Sequence, residues 1–100
     1  MLGTAGTSFA STNGQEFLFH DRIGSVYSIR LTGVNQNGDY VSGCFQTPNT
    51  DNYISNWWWK GQVRVETWYT SNCTGNYVVN SDSVYVDPVN PNGDWFYYTD

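Results

Sequence analysis

At 100 residues the chain has the length of one domain, and its composition is ring-rich and charge-poor: 18% aromatic and 13% charged, with a net charge of −5. Such a chain is too hydrophobic for disorder, and four scattered bases against nine acids cannot form the basic stripe that phosphate recognition needs. No apolar run reaches the length of a spanning helix, and an anionic bilayer would repel the net charge, so neither nucleic acid nor membrane is expected as a partner.

Met1-Leu2-Gly3-Thr4-Ala5 has neither the basic nor the apolar region of a signal peptide, which leaves a cytoplasmic protein or a mature secreted domain. Low Lys and high Asn, Thr and Tyr favour the secreted domain. Residues 1–14 read as an irregular arm or an edge strand. Gln15 to His20 is the first clear strand, ended by Asp21-Arg22-Ile23-Gly24. Ser25 to Val34 alternates, with Tyr27, Ile29 and Leu31 on one face and Ser28, Arg30 and Thr32 on the other. Asp39 to Thr47 sets Val41 and Phe45 against Tyr40, Ser42 and Cys44.

Tyr53 to Lys60 reads as a fourth strand carrying Trp57-Trp58-Trp59, and Gly61 to Thr70 as a fifth. In the fifth, Val63, Val65, Thr67 and Tyr69 form the expected inner face, leaving Arg64 and Glu66 as a solvated pair. Residues 75–80 and 82–87 read as two short strands around Asn80-Ser81, and Asp94 to Thr99 as the last. No segment shows a helical period. The expected fold is a single all-β domain over 1–100, a small antiparallel barrel or barrel-like sandwich of about eight or more strands. Closure is favoured because the chain has little Lys to guard an open edge.

Asn35-Gln36-Asn37-Gly38-Asp39-Tyr40 is echoed by Asn90-Pro91-Asn92-Gly93-Asp94-Trp95. Asn-Gly supplies the positive φ of a tight hairpin, while a calcium loop would need a bidentate carboxylate that neither copy places. The two cysteines, Cys44 and Cys73, are either buried thiols or a disulfide. In a small secreted domain the disulfide is expected, closing a loop of about 30 residues. With one histidine and two cysteines no metal site is expected, and no cofactor motif occurs.

Trp57, Trp59, Trp68, Trp95 and Tyr97, with the remaining tyrosines, supply more aromatic surface than a core this small readily hides. They are the candidate ligand-binding residues. Asp82 shares parity with Val84 and Val86, and a carboxyl on an apolar face must find partners or favour its neutral form. His20 shares parity with Leu18, and Asp21 with Phe17 and Phe19. Asp82, His20, Asp21 and Tyr69 are therefore the candidates for an acid–base cluster in an aromatic cavity.

The stretch Gln62-Val63-Arg64-Val65-Glu66-Thr67-Trp68-Tyr69, followed by Ser71-Asn72-Cys73-Thr74-Gly75-Asn76-Tyr77, resembles small secreted all-β proteins of actinobacteria, among them the tendamistat-type α-amylase inhibitors. The exposed Trp-Arg-Tyr turn through which that family inhibits is absent; Trp59-Lys60 is a poor substitute. In size and aromatic character the chain is also similar to the small β-barrel cyclases of polyketide pathways, which close acetal or spiroacetal rings without a cofactor. That resemblance implies a few polar residues inside a barrel acting as acid and base.

Two functions follow as expectations. In the first, the chain is a cofactor-free catalyst of ring closure on an oxygen-rich natural product, using preorganisation and a modest proton relay. In the second, it is a non-catalytic carbohydrate-binding module or glycosidase-inhibitor-like protein using exposed tryptophans. A small molecule or a glycan is the expected partner, bound by a monomer or small homo-oligomer.

Overall fold

The computed structural model describes residues 13–75, 78–91 and 93–100, with the backbone alone at residues 78–80. Apolar–polar alternation resolves into six strands: β1 (Gln15–His20), β2 (Ser28–Asn35), β3 (Tyr40–Gln46), β4 (Asp51–Trp68), β5 (Val78–Val86) and β6 (Trp95–Thr99). The described chain is all-β, as expected. The arm expected over 1–14 lies, up to residue 12, outside the described residues, as do Tyr77 and Asn92.

All six strands belong to one sheet of order β3-β2-β4-β1-β6, with β5 also paired to β4. It is not closed into a barrel, and the expected count of about eight strands is reduced by two mergers. The expected fourth and fifth strands are the single strand β4, because Gly61 takes φ 75° and the chain passes through a bulge instead of a turn. The expected pair around Asn80-Ser81 is the single strand β5, whose register against β4 runs unbroken from Gly61↔Val86 to Thr67↔Asn80. One pairing also departs from the antiparallel expectation, since β6 lies parallel to β1.

A second bulge shapes β4. Gln15 of β1 pairs with Trp59, yet Phe17 pairs with Ile54, so residues 55–58 stand opposite Glu16 alone. An insertion of this size reverses strand parity. Before it Asn52 and Ile54 are buried; after it Trp59, Val63, Val65 and Thr67 are. The sheet bends here, and non-adjacent strands meet. Phe45 of β3 contacts Trp57 of β4, and the Tyr98 hydroxyl of β6 lies 3.5 Å from Asp82 Oδ2 of β5. Between the two arms sits the core of Phe17, Phe19, Ile29, Leu31, Trp59 and Val65, each fully buried and each contributing about 1.5–3 kcal/mol by removal from water.

Cys44 and Cys73 form a disulfide with Cα atoms 6.1 Å apart. It ties edge strand β3 to the turn after β4. Ser28 holds that turn from the other side: its hydroxyl donates to the Thr70 carbonyl and accepts the Cys73 N–H at 2.9 Å.

Candidate functional site

The corner between β3 and β4 places two unpaired strand margins side by side. Strand β3 ends the sheet, and the first half of β4 has β1 on one side and no strand on the other among the described residues. Asn52 pins the corner, donating through Nδ2 to the Asn49 carbonyl at 2.7 Å and accepting the Asn49 N–H at 3.0 Å. A groove of about 350 Å³ opens here, lined by Phe45 and Gln46 of β3 and by Tyr53, Ile54, Ser55 and Trp57 of β4. Its size falls within the range of small-molecule sites, about 300–1,000 Å³.

Trp57 reaches the groove because of the bulge. Asn56 adopts φ 71°, a left-handed conformation that Asn tolerates better than most residues, and its N–H is accepted by Glu16 Oε2. The Trp57 ring then stacks on buried Trp59 at 5.8 Å and 15°, and meets the edge of Phe45 at 5.1 Å and 82°. Gly43 leaves room for both rings, since a Cβ there would stand 2.7 Å from Phe45 Cζ and 3.1 Å from Trp57 Cη2. The ring is thus fixed on two sides yet 37% exposed.

Tyr53 carries the aromatic surface around the margin to the outer face of β1, β6 and β4. It is 61% exposed, pairs in register with Leu18, and meets Trp95 edge-on at 5.1 Å. Leu18 in turn pairs with Tyr97, which is 56% exposed and stacks on His20 at 6.0 Å. Trp57, Trp95 and Tyr97 therefore border one aromatic region, whereas Trp59, expected as a ligand contact, is fully buried beneath Trp57 because the bulge turns it into the core. Trp68 lies apart at the far end of β4, half-buried, and its indole N–H has no hydrogen-bond partner among the described residues.

The four expected acid–base residues are not brought together. His20 points outward, where Nδ1 meets Asp51 Oδ1 at 2.6 Å. Asp21 turns inward as its parity with Phe17 and Phe19 requires, and is buried. Its carboxylate accepts the N–H groups of Gly24 and Val26 and closes the turn after β1. Burial pushes the Asp21 carboxyl up from its ordinary range, and the neighbouring Asp100 carboxyl adds to this against the two N–H donors. Asp82 shares the valine face, pairing with Val65, but is exposed because β5 becomes buried only towards Val86. Tyr69 follows the last residue of β4 and is 52% exposed. His20 and Asp82 thus lie on opposite sides of the β1–β6 layer, His20 stacked on Tyr97 and Asp82 near the Tyr98 hydroxyl.

Comparisons with protein-family models, with curated proteins and with solved structures find no match to this chain.

The groove walls carry no charged side chain, and Cys44 beside them is held in the disulfide. Glu16 lies beneath the bulge, where its carboxylate accepts the Asn56 N–H. Burial raises its carboxyl above the ordinary range; the Asn56 N–H opposes that shift and the negative charge of Asp94 reinforces it. The residues missed from sequence are Phe45, Gln46, Ser55 and Asn56. The available signal was an Asn set directly before a tryptophan run within a strand, since Asn is among the few residues other than Gly that readily take a left-handed position.

Proposed function

We propose that the protein is a non-catalytic, extracytoplasmic carbohydrate-binding domain that holds a glycan in the groove between β3 and β4. The observation that carries this reading is the Trp57 ring, immobilised by Phe45 and Trp59 and presented in an uncharged groove. A sugar offers an apolar C–H face and a rim of hydroxyls. The first suits a fixed aromatic ring, and the second suits the hydroxyl of Ser55, the amide of Gln46 and the phenol of Tyr53. Because the rings are held before binding, little conformational entropy is lost on association. The disulfide accords with an oxidising compartment, where glycans are met outside the cell.

The test is calorimetric titration with neutral oligosaccharides. Trp57→Ala is expected to weaken binding by at least about 30-fold, the loss of roughly 2 kcal/mol typical of a central aromatic anchor. His20→Ala should leave it unchanged. Absence of any glycan binding would overturn the reading. Turnover of a dihydroxyketone-type substrate that His20→Ala abolishes would replace it with the cyclase reading, in which the His20–Asp51 pair moves the proton.

A further inference from the structure

A second depression adjoins the first across Trp57. It holds about 160 Å³ and is lined by Asn35, Gln36 and Asn37 of the β2–β3 turn and by Asn56, Trp57 and Trp58 of the β4 bulge. Trp57 lines both depressions and forms the ridge between them.

The turn and the bulge are held in place by the backbone. The Gly38 N–H donates to the Asn35 carbonyl, and the Gln36 N–H to the Trp58 carbonyl at 3.1 Å. Asn35 Oδ1 is committed to the turn, accepting the N–H groups of Asn37 and Asp39. The side-chain amides of Gln36, Asn37 and Asn56, in contrast, have no hydrogen-bond partner among the described residues, while those of Asn13, Gln15 and Asn52 are engaged. Three such amides thus line the depression beside the indoles of Trp57 and Trp58, and no charged side chain lines it.

We propose that this depression is a second subsite of the same site, so that the ligand is a linear neutral glycan lying across Trp57 with one end unit among the amides of Gln36, Asn37 and Asn56. The inference rests on the carbohydrate-binding reading and specifies its ligand. An amide both donates and accepts, which matches a sugar hydroxyl and gives no advantage to a carboxylate or an ammonium group. Acidic polysaccharides would face an uncharged lining on a chain of net charge −5. The two depressions, of about 350 and 160 Å³, adjoin at Trp57, so affinity should rise with chain length until both are filled.

The experiment titrates the full chain with neutral gluco-, xylo- and manno-oligosaccharides of increasing length. It compares wild type, Trp57→Ala, and the double variant Gln36→Ala/Asn37→Ala, which leaves the bulge at Asn56 untouched. Both side chains are exposed, and the turn is held by backbone bonds that alanine retains, which thermal unfolding checks. Wild type is expected to bind a tetramer about tenfold more tightly than a dimer of the preferred series, a gain of roughly 1.4 kcal/mol. The double variant should lose that gain and keep the dimer affinity, whereas Trp57→Ala should weaken both. Equal gain with length in the double variant would overturn the second subsite while leaving the groove reading intact. A preference for charged oligosaccharides would overturn the neutral ligand. Failure of every oligosaccharide to bind, or capture of an extended peptide in their place, would overturn both readings.

Discussion

Breaking the Cys44–Cys73 link should cost this domain a large part of its stability. The two residues are separated by 29 positions, and they connect an edge strand to a turn that otherwise meets the sheet through Ser28. In the chain-entropy account, releasing a loop of that length frees about 12 cal/mol/K in the denatured chain, or about 3.6 kcal/mol at room temperature. For a domain of this size each kcal/mol moves the midpoint by about 4–8 °C, so the Cys44→Ala/Cys73→Ala variant should melt about 14–29 °C below the parent. The bond that the Ser28 hydroxyl accepts at position 73 comes from the backbone N–H, which alanine retains, so the variant isolates the loss of the cross-link. Thermal unfolding by circular dichroism measures the shift, and a reductant titration of the parent provides the independent arm. A decrease smaller than about 5 °C in both would refute the reasoning, because the denatured chain would then gain almost no freedom. Since β3 supplies Phe45 and Gln46 to the groove, glycan affinity should also fall in the reduced protein well below its melting point.

Two further outcomes follow from the groove and the acids beneath it. Folding raises the Glu16 and Asp21 carboxyls above their ordinary values of 4.5 and 3.8, so the native state binds protons more tightly than the denatured one. Stability from these two groups is therefore greatest below those values and is lost as pH rises through the raised ones. The urea midpoint should increase on acidification from neutral pH towards about pH 5, and Glu16→Gln should flatten that rise while keeping an acceptor for the Asn56 N–H; a midpoint that falls steadily over this window would contradict the sign. Gly43→Ala should force Phe45 and Trp57 apart, costing about 1–3 kcal/mol by overpacking and weakening glycan binding, and unchanged affinity would show that the pair can shift without consequence.

Local patterns in the chain determined the strand content, the inner face of Val63, Val65 and Thr67, the inward turn of Asp21 and the turn at 35–38. Each rests on interactions within a few residues: parity, turn chemistry, side-chain capping. The pairing of Cys44 with Cys73 was also legible, from compartment and domain size. Even at the 35–38 turn, tertiary geometry refined the expectation, because Gly38 takes positive φ and Asn37 does not.

Only the tertiary structure decided how many strands these segments make and which aromatics meet. Gly61 and Asn80-Ser81 look like breaks when read alone, yet each is carried through by a neighbour that keeps the ladder paired. The candidate site was hidden for the same reason. A parity argument places Trp57 and Trp59 on one face, but the contacts of Trp57 with Phe45 and Gly43 exist because the insertion at residues 55–58 bends β4 against a strand it does not pair with. His20 and Asp82 show the converse: parity is a property of one strand, whereas burial depends on what the rest of the sheet lays over it.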